Sequence, residues 1–220
     1  MTDSIIIKYF PVLLKASVVT IELTAIAVTI GLIFGLVAAL FRISKIKLLN
    51  YIGSFYVWLF RGTPLLLQIF FIYYGLPKIV PALTLPAFLA GAIALIINSG
   101  AYTAEIIRAA ILSIDRGQYE AAKALGMTYI QTMRYVIIPQ TYKRLIPPIG
   151  NEFIALLKDS SLVSTIGMVE LMRAAQLKAS QTGRDAEIYL AALVIYLALT
   201  TIFTTIFNWL EKRLGKYEQH

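Results

Sequence analysis

Cysteine is absent from this 220-residue chain, and histidine occurs once, at His220. Disulfides and thiolate metal sites are thereby excluded, and the redox compartment leaves no trace in the sequence. One terminal histidine offers neither a metal cluster nor a catalytic base in context. The remaining residues assemble no nucleophile–base–orienter set. A phosphate-cradling glycine loop is missing too. Its nearest fragment, Gly215-Lys216-Tyr217, lacks the leading glycine and the hydroxyl residue. Charge is sparse: 15% of residues are charged, against about 25% in soluble domains. No repeat, low-complexity stretch or linker divides the chain, so residues 1–220 read as one domain that cannot energise anything alone.

What is abundant is apolar surface. Hydrophobic residues make up 59% of the chain, with a mean hydropathy of +0.75. They fall in runs at about 12–41, 51–77, 85–112, 145–163 and 187–210, near the ~20 residues that cross ~30 Å of hydrocarbon. The first two are long enough to tilt. Continuous runs, rather than period-two alternation, specify helices over barrel strands. The expected fold is an all-α integral membrane protein with about five transmembrane helices. Met1 to Phe10 lacks a basic leader and a small-residue cleavage site, so it reads as mature sequence.

The net charge of +8 reports orientation rather than nucleic acid. Arg42, Lys45 and Lys47 follow the first run. Arg116, Lys123, Arg134, Lys143 and Arg144 follow the third, and Lys212, Arg213 and Lys216 the fifth. Lys8, Lys78, Arg173, Lys178 and Arg184 lie on the opposite side. Positive charge retained in the cytoplasm places the N-terminus outside and the C-terminus inside.

Two connections exceed short turns. The outer one, about 164–186, has room for a short helix around Met168 to Lys178. The cytoplasmic one, 113–144, reads as a pair of short helices. Asp115 caps the first, with Gln118 completing a capping-box-like pair, and Gly126 stops it. Thr128 caps the second, with Gln131 three residues on. Ile130, Met133, Val136 and Ile137 give it an apolar face, and Pro139 ends it. Ala121 and Ala122 leave the first helix thin enough for another surface to approach closely.

Glu120-Ala121-Ala122, Gly126 four positions later, then Val136 and Ile138-Pro139, resemble the signature loop of bacterial ABC-importer permeases. Val136 and Ile138 stand where that pattern has isoleucine and leucine. Arg61-Gly62-Thr63-Pro64, Ala101-Tyr102-Thr103-Ala104-Glu105 and Leu157-Lys158-Asp159-Ser160-Ser161-Leu162 resemble the branch that imports polar amino acids of the histidine, arginine and glutamine type. The resemblance spans nearly the whole chain. It implies a multi-pass subunit of the bacterial cytoplasmic (inner) membrane that is not itself an enzyme. Two permease subunits, identical or paralogous, would form the pathway. Two cytoplasmic ATPase subunits would carry ATP and Mg, this chain holding no cofactor, and an external amino-acid-binding protein would deliver substrate. Gln118, Glu120, Ala121, Ala122 and Gly126 would form the ATPase-coupling element.

Ionisable residues within spans are costly and are functional candidates by default. Glu22 reads as structural or interfacial. Glu105 and Arg108, three apart, share a helix face and can neutralise each other. Arg61 lies roughly 21 Å of helix beyond Lys47, deep in the bilayer. Gly62 and Pro64 can break the helix there, as interrupted helices do at transporter binding sites. Arg61 either meets a substrate carboxylate or pins the break, and Gln68 fits either role. Glu152 has no basic residue three or four positions away. It either meets the side chain of a basic amino acid such as arginine, lysine or histidine, or pairs across subunits with Arg61 or Arg108. Asn98 can bind an amino-acid head group or a neighbouring helix. Lys158 and Asp159 form a mouth or mark the interface. The competing class is an ion-coupled secondary transporter or channel, which needs no ATPase but lacks here the expected inverted repeat. A scaffold without substrate would have every intramembrane charge paired within protein.

Overall fold

The computed structural model describes residues 3–215, with side chains over 7–213. Lys216, Tyr217 and His220 lie outside the described residues. Ten α-helices follow one another, and no strand occurs among the described residues. They are α1 (Asp3–Ile43), α2 (Lys47–Gly62), α3 (Leu65–Phe70), α4 (Leu76–Ile79), α5 (Ala87–Leu112), α6 (Arg116–Ala124), α7 (Tyr129–Thr132), α8 (Ile138–Asp159), α9 (Leu171–Thr182) and α10 (Asp185–Gly215).

Three helical stretches are long and apolar enough to cross a membrane: Ile7–Ile43, Ala87–Leu112 and Asp185–Arg213. A fourth is broken. Lys47–Gly62 and Leu65–Ile79 meet at 103°, so the expected span at 51–77 is two segments around a corner. The stretch expected as the fourth span, 145–163, lies mostly in a helix of sufficient length, 22 residues, but is not apolar enough to qualify. Its helix α8 carries Lys143, Arg144, Glu152, Lys158 and Asp159.

The centre of the fold is the pairing of α1 with α5, the most extensive helix contact in the molecule. Gly31 and Gly35 of α1 sit against Ser99 and Thr103 of α5, two pairs of small residues one turn apart. Small side chains let helix backbones approach without a hydrophobic driving force. One apolar cluster surrounds this seam with Leu23, Ala27, Ile69, Leu95 and Leu156. A second joins α1, α9 and α10 through Leu13, Leu171, Ala175, Ile188 and Ile195. A third, with Ala38, Ile107, Ile114 and Ile137, ties the bundle to the α6–α7 segment. Of the most apolar stretch, 61% is buried in α5 but only 17% in α10, which leaves α10 on the outside of the protomer.

Pro139 does not end a helix, contrary to the reading above. A π-helical turn over Met133–Ile137 joins α7 to α8, and the Ile138 amide reaches the Met133 carbonyl five residues back. The extra residue in that turn accommodates a proline that cannot donate to the preceding turn and would clash with it. Phe71–Gly75 repeats the device one residue before Leu76-Pro77. The connection at about 164–186 holds α9 at Leu171–Thr182, a few residues later than the expected Met168 to Lys178, and Gly183 at φ +64° closes it.

Candidate substrate cavity and coupling element

The corner after α2 follows from local chemistry. Pro64 has no N–H and forces Thr63 out of the helical region, to φ −120° and ψ 147°. Breaking the ladder orphans carbonyls at the end of α2. The Gln68 amide donates to Phe60 O at 2.9 Å, Thr63 O at 3.1 Å and Thr63 Oγ1 at 2.9 Å. Asn98 Nδ2 donates to Phe60 O and to Gln68 Oε1, both at 3.1 Å. Two amide side chains from different elements thus hold the corner.

In the angle of the break lies a cavity of about 550 Å³. Arg61, Asn98 and Glu152, three of the four residues expected at a substrate site, line it together. Gln68 does not; its amide is committed to the corner. Thr63, Tyr102 and Asp159 also line the cavity. Helical spacing marks the last two: Tyr102 is one turn beyond Asn98 on α5, and Asp159 two turns beyond Glu152 on α8. Among the described residues, Arg61, Glu152 and Asp159 make no ion pair. The Arg61 guanidinium instead lies over the Tyr102 ring, 5.0 Å from its centroid.

A second cavity of about 540 Å³ adjoins the first toward the end of the bundle that carries α6 and α7. Its walls include Arg42, Trp58 and Glu105 together with Arg61, Gly62 and Tyr102, which the two cavities share. Arg108 Nη2 donates to Glu105 Oε1 at 2.5 Å, the expected pair. Arg42 of α1 also donates to Glu105, a third member invisible to helical spacing. Within this protomer Arg108 is committed to Glu105; the pairing of Glu152 with Arg61 or Arg108 across subunits involves a second chain. Glu22 is exposed.

The α6–α7 segment matches its expected turns closely. The Asp115 carboxylate accepts from the Gly117 amide at 2.6 Å. Gln118 does not complete a capping box; it accepts from Gln140 Nε2 at 3.1 Å, across to α8. Gly126 stands at φ +75°. Its amide bonds Lys123 O at 3.0 Å, and the Met127 amide bonds Ala122 O at 3.1 Å, the paired bonds of a Schellman stop. The capping box at Thr128 is complete: the Gln131 amide donates to Thr128 Oγ1 at 3.3 Å, and the Thr128 amide to Gln131 Oε1 at 2.8 Å. Arg144 Nη1 of α8 donates to the carbonyl of Ser113, just after α5, at 2.6 Å, tying together the two ends of the segment. Ala122 is buried and Glu120 and Ala121 are exposed. Of the expected apolar face, Ile137 is buried, but Ile130 is 76% exposed and, with Leu125 at 81%, turns outward.

A β-branched residue at Gly126 would be forced into the left-handed region at a cost of roughly 1–2 kcal/mol or more. Gly126→Val is therefore expected to fray the end of α6. Hydrogen exchange at the Met127 amide should quicken about tenfold, with the α5 amides unaffected. Equal protection at Met127 in both proteins would contradict the role assigned to this turn.

Residues 31–216 match the family described as binding-protein-dependent transport system inner membrane component. A probable amino-acid ABC transporter permease of Vibrio harveyi is 41% identical over 211 residues, covering 96% of this chain and 95% of its own. The arginine transport system permease of Bacillus subtilis (strain 168) is 39% identical over 208 residues, covering 94% of both chains. The glutamine transport system permease of Escherichia coli (strain K12) is 38% identical over 204 residues, covering 93% of both. A solved amino acid ABC transporter with histidines is 46% identical, with a TM-score of 0.90 over 94% of this chain and 96% of that one. The chain therefore belongs to the binding-protein-dependent transport system inner membrane components, as a multi-pass permease subunit of an amino-acid ABC importer, not itself an enzyme.

Proposed function

We propose that the chain forms, with a second permease subunit, the pathway of an importer for a basic amino acid. The observation that carries this is the charge set of the cavity: one cation, Arg61, and two carboxylates, Glu152 and Asp159, none of them ion-paired among the described residues. A basic amino acid brings the complement, one carboxylate and two cations. Its α-carboxylate would meet Arg61, and its α-ammonium and side chain the two acids, with the Asn98 carbonyl as a further acceptor. Glutamine would leave one carboxylate without a partner, and an unpaired charge in a span is costly. Gln68 acts one step removed, by holding the corner that positions Arg61.

Gln118, Glu120, Ala121, Ala122 and Gly126 would meet the cytoplasmic ATPase, which carries ATP and Mg. ATP binding would draw two such elements together and turn the pathway outward; hydrolysis would reset it inward. In this reading α8, polar as it is, is the fifth crossing element, shielded from lipid by α5, α10 and the second subunit. The N-terminus lies outside with α9, in keeping with Lys8 and Lys178, both of which stand over the Tyr9 ring. An external binding protein would deliver the amino acid.

The test is uptake of labelled arginine into proteoliposomes holding this chain, its ATPase and its binding protein. Uptake should require ATP and be competed by lysine but not by glutamine or glutamate. Glu152→Gln removes a charge-assisted contact of about 1.5–3 kcal/mol, so apparent affinity for arginine should fall tenfold or more. Full uptake with unchanged preference in that variant would discard the assignment. Uptake driven by an ion gradient and indifferent to ATP would favour the secondary-transporter reading.

A further inference from the structure

We propose that the Arg61–Tyr102 stack is the partition between the substrate cavity and the cavity at the coupling end, and that its separation is the step that lets the amino acid through. The two spaces are neighbours with different electrostatics. The substrate cavity holds two carboxylates and reaches Asp159, at the end of α8 far from the coupling element. The other reaches Arg42, in the last turn of α1, where two guanidiniums share the single carboxylate of Glu105. Three residues belong to both walls: Arg61, Gly62 and Tyr102. Gly62 adds no side chain, and a Cβ there would meet nothing within 4 Å. In the wall the two spaces share, the Arg61 guanidinium lies over the Tyr102 ring, 5.0 Å from its centroid. Both residues are exposed in the lone protomer, so the second subunit closes the remaining side.

Such a contact suits a gate. A cation over a ring is held by the ring quadrupole without a fixed hydrogen-bond partner, so it separates by sliding rather than by breaking a buried ion pair. Each half rides on a different helix. Arg61 ends α2 at the 103° corner, and Tyr102 lies on α5. Relative displacement of those helices opens the stack directly. Beyond it, the excess of guanidinium over carboxylate disfavours a cationic solute, which keeps the amino acid with Glu152 and Asp159 while the stack is closed.

This inference rests on the reading of the first cavity as the amino-acid site. The experiment is efflux of trapped, labelled arginine from proteoliposomes holding the whole transporter, without ATP. Tyr102→Leu, which keeps apolar bulk but removes the ring, should release label about tenfold faster than the unaltered protein. Tyr102→Phe, which keeps the ring, should hold it. Arg61→Lys retains the charge without the planar stack and should leak like Tyr102→Leu, a second route should the leucine variant fail to assemble. Retention in both Tyr102→Leu and Arg61→Lys, or leakage from Tyr102→Phe, overturns the proposal. Glu152→Gln in the same vesicles separates the two readings. Altered preference there, with no leak at position 102, removes the partition alone; unaltered preference removes the cavity assignment itself.

Discussion

Gly35→Val should prevent the bundle from closing. A Cβ at position 35 would lie 2.7 Å from both Cβ and Cγ2 of Thr103 and 3.0 Å from the Ala104 amide nitrogen. None of these atoms is the end of a flexible chain; Thr103 is β-branched and its neighbour is backbone, so α1 and α5 must part. Overpacking a tight core costs about 1–3 kcal/mol and occasionally more, and this is the largest helix interface in the fold. The expected outcome is loss of the monodisperse peak in detergent, or a melting transition too low to measure. Removing the obstructing atoms with Thr103→Gly in the same chain should restore part of it. Gly62→Ala is the control, because a Cβ there meets nothing and folding should be unaffected. If Gly35→Val and Gly62→Ala melt alike, the seam does not govern assembly.

The second large effect concerns a residue that no motif marks. Glu170 is fully buried, and no cation pairs with it among the described residues. Four donors surround its carboxylate. The Met172 amide at 2.9 Å and the Arg173 amide at 2.8 Å cap α9; Tyr196 Oη at 3.0 Å and Thr20 Oγ1 at 3.4 Å come from α10 and α1. Thr20 Oγ1 in turn accepts from the Leu171 amide at 3.2 Å. Glu170→Ala strips the cap and leaves buried donors without an acceptor. A lost cap costs about 1 kcal/mol and each unsatisfied buried group about 1–3 kcal/mol, so a loss of roughly 3 kcal/mol or more is expected. Glu170→Gln keeps one acceptor oxygen and should fall between. Limited proteolysis across 171–182, followed with the melting temperature, reads both. Unchanged protection in Glu170→Ala would mean that α9 is held by its apolar face alone.

These two residues illustrate what one dimension hides. The turns around α6 and α7 are legible because caps act over three or four residues. Thr128 with Gln131, and Gly126 after the alanines, state their geometry in their spacing. Arg61, Asn98 and Glu152 are legible as costly polar groups in apolar runs, and they converge on one cavity. Gln68 looks the same in sequence yet serves the corner, because the carbonyls it satisfies exist only once Pro64 has broken the helix. Glu170 reads as an ordinary loop residue until α1 and α10 close over it. Arg42 joins Glu105 from 63 positions away, beyond any periodicity. Pro139 misleads for a related reason: a proline ends a helix only if the preceding turn cannot widen to take it, and here it does.

That widened turn has a mechanical consequence. Because Met133–Ile137 splices α7 to α8, backbone helix runs unbroken from Tyr129 to Asp159. At 1.5 Å per residue that is about 45 Å of helix, one end at the α6–α7 segment and the other at the cavity wall. Pro139 beside the π-turn, and Pro147 with Pro148, leave two gaps in its hydrogen-bond ladder, both ahead of the turns bearing Glu152 and Asp159. A displacement at α7 has no loop to cross before it reaches that end. Glu152 and Asp159, seven residues apart on one face of that helix, would then move together.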